Sequence, residues 1–219
     1  MEKGMIINYA VLVLFGLAVG LLSAIPIGAV QVQVVKTALR GHRGTAVALA
    51  LGSGASDLVY GLLTVLGLGP ILTSTRFQIV FYLLGVAVLL VILYRSVREH
   101  RDPSGGNHAP GKHDHRDGFI TGFTMAVTNP SIVLFWIVGY GVVSGLGLFP
   151  ETTLSVRLAY VISGSIGLAG YLVGLAFAVH RIHHALSDRV LRRMNLALIY
   201  ILVALIGYFI WKVIGDLLK

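Results

Sequence analysis

Asp57 stands deep inside an otherwise apolar stretch, ALGSGASDLVYGLL at 50–63. Placing a charge at a bilayer centre costs about 2.5–3.5 kcal/mol on insertion scales. A carboxyl kept there is therefore expected to face a protein interior and to work. It can hold the ammonium of a ligand, or take up and release a proton once per cycle. Ser53, Ser56, Tyr60 and Thr64 fall at i−4, i−1, i+3 and i+7 from it and form one polar stripe on a helix. Gly52, Gly54 and Gly61 are small enough to let other helices approach closely.

Two prolines mark the other places where chemistry is expected. In SAIPIGAVQVQVVK (23–36), Pro26 removes a backbone hydrogen bond and clashes with the preceding turn, and Gly28 lets the chain bend. In AVTNPSIVLFW (126–136), Asn129 and Pro130 do the same for a second apolar segment. Broken helix at membrane depth survives only where protein buries it or a wet cavity lies beside it. The freed backbone groups, with Asn129 as a hydrogen-bonding partner, then become ligand groups. Gln31 and Gln33 differ by about 200° on a helix and cannot share a face; Gln31, one turn after Ile27 and Gly28, is the one expected at the cavity. The candidate substrate-binding set is Pro26, Gly28, Gln31, Asp57, Tyr60, Asn129 and Pro130, with Asp57 also the proton-coupling group. Ser163, Ser165 and Tyr171 are further polar groups that either line the cavity or pack between helices.

The elements that must position these residues follow from composition. The 219 residues are 56% hydrophobic and 12% charged, with a mean hydropathy of +0.86. Soluble domains carry about 25% charged residues, so the expectation is an all-α polytopic membrane protein. Six apolar segments are long enough to span: 6–35, 44–68, 76–94, 118–145, 154–180 and 194–214. The first is about 45 Å long as a straight helix, against a hydrocarbon core of roughly 30 Å, so it must break. The polar, His-rich segment 95–118 divides the chain into a first three-helix repeat (1–94) and a second (119–219). Each repeat opens with a proline-broken helix. Because three spans is an odd number, the two repeats are inverted, the arrangement that places a transport site at paired interrupted helices.

Charge sets the orientation. Twelve of the 17 Lys and Arg lie in the loops after the first, third and fifth segments, and five on the opposite side. The positive-inside rule makes those three loops cytoplasmic and puts both termini outside a cytoplasmic (inner) membrane. The net charge of +8 is thereby explained without nucleic acid. Cysteine is absent, which excludes disulfides and thiolate sites. No GxxxxGK[ST] loop, HExxH motif or nucleophile elbow is present, so neither ATP drive nor an enzyme's catalytic residues are expected, and no cofactor. The HAPGKHDH tract at 108–115 offers His108, His113 and His115 with Asp114 to a metal. A divalent-cation exporter using that loop and Asp57 is thus the alternative reading, disfavoured because the spans hold one carboxylate, no thiol and only His180 near an end.

Four stretches resemble one family: PIGAVQVQVVKTALRGHRGTAVALALGSGASDLVYGLLTVLGL (26–68), FQIVFYLLGVAVLLVILYRSVRE (77–99), GFTMAVTNPSIVLFWIVGY (122–140) and RVLRRMNLALIYILVALIGYFI (189–210). In their order of PIG, basic turn, SD and NP they resemble the lysine exporter (LysE/RhtB-type) family of amino-acid translocators, over nearly the whole chain. The family often has Gly-Pro where this chain has Gly28–Ala29, which implies a milder break. The resemblance implies ion-coupled efflux of amino acids or related small metabolites through the lipid bilayer, without implying lysine. Six spans suffice for a small carrier, particularly as a homodimer.

Overall fold

The computed structural model describes residues 2–24, 28–68, 71, 74–101, 115–128, 131–145, 153–182 and 188–218. Among them the regular elements are helical: α1 (Glu2–Ser23), α2 (Ala29–Leu39), α3 (Arg43–Leu63, continued by a π turn at Thr64–Leu68), α4 (Thr75–Arg101), α5 (His115–Val127), α6 (Ser131–Gly145), α7 (Leu154–Arg181) and α8 (Asp188–Leu217). Five stretches within these helices are long and apolar enough to cross a membrane: Met5–Ser23, Arg43–Leu68, Thr75–Arg98, Leu154–Arg181 and Asn195–Leu217. The protein is an all-helical, multi-pass membrane protein.

The first and fourth apolar segments are each divided. α1 ends at Ser23 and α2 begins at Ala29; α5 ends at Val127 and α6 begins at Ser131. The prolines expected to cause these interruptions, Pro26 and Pro130, lie with Asn129 in the intervals between those helix ends and outside the described residues. Several boundaries differ from expectation: α2 runs to Leu39 and α8 starts at Asp188, beyond the segments read as 6–35 and 194–214. α4 runs to Arg101, about two turns past Tyr94, because apolar and charged residues alike sustain a helix once it leaves the bilayer. α5 starts at His115, inside the segment read as a linker; His108 and His113 fall outside the described residues. The α2–α3 turn is made by Gly41, at φ +83°. The amide of His42 bonds the Thr37 carbonyl at 3.2 Å, closing the end of α2.

α3 is the central helix, and small residues admit a neighbour on three sides. A methyl at Gly52 would overlap the Phe119 carbonyl of α5, one at Gly54 would press on Ala169 of α7, and one at Gly61 would press on Val161 and Trp136. α1 packs along α7, α5 along α3, and α4 along α8.

The first two of these seams match position by position. On α1, Gly16 and Gly20 lie against the carbonyls of Tyr160 and Gly164, while Gly167 of α7 lies against the carbonyl of Leu17. On α5, Gly118 and Gly122 lie against the carbonyls of Thr45 and Leu49, while Gly52 of α3 lies against the carbonyl of Phe119. Side chains this small let backbones approach closely, which is how helices associate where lipid removes the hydrophobic drive.

The helix ends gather at two poles. At one, Lys36 of α2 donates to the Oδ1 of Asn195 on α8 at 2.7 Å, and Asn195 donates to the Ser96 carbonyl of α4 at 2.8 Å. There too Arg43 stacks on Phe177 at 5.2 Å and Gly44 faces the His115 ring. At the other pole, Arg157 donates to the Val65 carbonyl at 3.1 Å and covers the Tyr140 ring, and the hydroxyls of Tyr9 and Ser155 are 2.9 Å apart.

Candidate functional site

A cavity of about 440 Å³ opens where the two helix breaks meet, within the range of small-molecule sites. The first break supplies Ser23, Ala24, Gly28, Ala29, Val30 and Gln31. The second supplies Met125, Ala126, Thr128, Ile132 and Phe135. α3 contributes Ser53 and Asp57, one turn apart; Leu89, Leu168, Leu172, Leu205 and Phe209 come from α4, α7 and α8.

Most polar groups of this wall are already engaged with backbone. Gln31 bridges the first break: its Oε1 accepts from the Gly28 amide at 3.0 Å, and its Nε2 donates to the Ala24 carbonyl at 3.1 Å. The side chain thus satisfies a donor at the start of α2 and an acceptor at the end of α1, the groups a break leaves bare. Ser23 donates to the Gly20 carbonyl at 2.6 Å. Thr128 donates to the carbonyls of Thr124 and Met125.

Asp57 differs. It is 2% exposed, and no hydrogen bond or ion pair to its carboxyl is found among the described residues. Ser53 is likewise without a bond among them. A carboxyl and a hydroxyl on one face of α3 thus line the cavity together, an arrangement able to accept from a hydrogen-bond donor that carries positive charge.

The expected site residues separate accordingly. Gly28, Gln31 and Asp57 line the cavity. Tyr60 is not among its lining: its hydroxyl donates to the Val127 carbonyl at 2.6 Å, anchoring the last residue of α5 beside the second break. The whole stripe of Ser53, Ser56, Asp57, Tyr60 and Thr64 is buried. Ser163 and Ser165 pack between helices, Ser163 donating to the Tyr160 carbonyl at 3.0 Å against Gly16, and Tyr171 sits at the edge of the α2–α3–α7 cluster. Among the described residues no group of three His, Asp or Glu could hold a metal ion. Lys36, counted in the sequence with the basic loop, is instead buried at 3% exposure.

Residues 21–212 match the family model described as LysE type translocator. The chain belongs to the LysE type translocator family. The chain is also 27% identical over 125 residues to the Bacillus subtilis (strain 168) protein named "Putative amino acid efflux protein YcgF". The matched stretch covers 57% of this chain and 60% of that relative. No solved structure matches the chain. The family match spans both helix breaks, so the cavity between them lies inside the shared domain.

Proposed function

We propose that the protein is a secondary active exporter of amino acids or related small metabolites, working by ion-coupled alternating access across the cytoplasmic membrane. The observation that carries this reading is the uncommitted Asp57 carboxyl in a cavity between two broken helices. An amino acid brings an ammonium for Asp57 and Ser53. Its carboxylate suits the first turn of α2, whose Ala29 and Val30 line the same cavity and where the helix dipole favours negative charge. Protonation of Asp57 would release the ammonium, which couples efflux to proton entry. Asn129, Pro26 and Pro130 keep the roles expected of them in the sequence, opening backbone and hydrogen-bonding it or the ligand.

Six spans in two inverted repeats are part of this proposal. Its support is the matched pair of seams: α1 on α7 joins the first repeat to the second through the contacts by which α5 on α3 joins the second to the first. The clustering of basic loop ends at one pole supports cytoplasmic placement of that pole and external termini. The relative's name agrees with amino acids as the cargo.

The test is counterflow of radiolabelled amino acids in proteoliposomes, comparing the wild type with Asp57→Asn. We expect exchange to fall at least tenfold in the variant, with its pH dependence lost. Undiminished, pH-dependent exchange by Asp57→Asn would remove Asp57 from the mechanism.

A further inference from the structure

We propose that the cavity selects amino acids with a single amine and a neutral, apolar side chain, a narrowing that rests on the exporter reading above. The charge inventory of the wall comes first. Among the described residues lining the cavity, Asp57 is the one charged group, and Lys, Arg and His are absent. One anionic group matches one ammonium. A dibasic amino acid would bring a second cation to a wall holding no second acid. An acidic one would bring a second carboxylate with no cation to meet it. Charges buried without a partner are rejected strongly.

The opposite wall is apolar. α4 and α8 turn Leu89, Leu205 and Phe209 into the cavity, and α7 adds Leu168 and Leu172. Leu89 and Phe209 are each only 3% exposed. Phe209 packs against the Tyr82 ring, whose centroid is 5.2 Å away. Each methylene a ligand buries against such a surface is worth about a fourfold gain in affinity. Among the described residues of the wall, Gln31, Ser23 and Thr128 are bonded to backbone, and Ser53 is given to the ammonium, which leaves no described polar group for a hydroxyl or amide side chain. Side chains of the leucine, methionine or phenylalanine kind therefore gain from the wall, and those of serine or glycine gain nothing.

The full-chain protein in proteoliposomes, each loaded with the unlabelled form of the amino acid supplied outside, decides this. External labelled leucine, isoleucine, methionine and phenylalanine should exchange at least tenfold faster than lysine, glutamate or serine. Lysine or glutamate exchanging as fast as leucine overturns the selectivity while leaving the exporter reading in place. No exchange of any amino acid by the wild type overturns both. Phe209→Ala should raise tryptophan relative to leucine, and an unchanged ranking counts against the assigned wall. Should that variant fail to fold, thermal stabilisation of the wild type by the same ligands gives the ranking independently: leucine must stabilise at lower concentration than lysine and glutamate, and the reverse order refutes the proposal.

Discussion

The Tyr60 hydroxyl donates to the Val127 carbonyl at 2.6 Å, so the central helix holds the end of α5 one residue before the second interruption begins. Asp57 lies one turn away on the same face. The helix that presents the carboxyl to the cavity thus also fixes the edge of the break that forms it. Tyr60→Phe keeps the ring and takes the partner from a half-buried carbonyl, at a cost of about 1 kcal/mol. Chemical unfolding in detergent should show that loss, while leucine binding to the folded variant, read by thermal stabilisation, stays within about twofold. A change in binding larger than in stability would return Tyr60 to the ligand shell.

Gln31→Leu removes both caps across the first break. The Gly28 amide and the Ala24 carbonyl lose their partners together, and about 2 kcal/mol of stability should go with them. Gln31→Glu keeps the acceptor and loses the donor to Ala24, so it should fall between wild type and Gln31→Leu. Melting temperatures of the three proteins check the order.

The matched glycine seams make paired predictions. Gly20→Val and Gly122→Val each drive a side chain into a carbonyl of the facing helix, and overpacking of this kind costs about 1–3 kcal/mol. The two variants should lose stability to a similar degree, since they occupy corresponding contacts. Gly207→Ala, which meets nothing within 4 Å, should be neutral or stabilising by up to about 1 kcal/mol. A large difference between Gly20→Val and Gly122→Val would break the correspondence.

Lys36→Met and Asn195→Leu each strand a buried polar partner, and each should destabilise by about 1–3 kcal/mol. The double variant should cost less than the two single losses together, because the second substitution removes the group that the first left unpaired. A double-mutant cycle in detergent measures the coupling, and strict additivity would mean the contact contributes nothing.

The helix breaks were legible because proline acts locally: its missing donor and its ring decide the outcome wherever it stands. Asp57 was legible because charge in an apolar run has few bland explanations. The tertiary duties of Tyr60 and Gln31 were not, since a side chain's partner depends on which helix arrives beside it. Lys36 read as a loop cation because it follows an apolar run, and only the packing of α8 and α4 around it takes it from water. The seams had a faint signal, GLAVG at 16–20 and GFITG at 118–122, which share a spacing but hardly a side chain. The apolar wall had none: Leu89, Leu205 and Phe209 look like every other greasy residue on their helices.

The seams also fix when this protein can assemble. α1 finds its glycine-lined mate in α7 and α3 finds its own in α5, so neither early helix has its main partner until the later ones have been translated and threaded into the lipid. The nascent chain waits as separate rods in the bilayer. The cavity comes into being only near the close of synthesis, so the surfaces that line it never face one another in a half-made polypeptide.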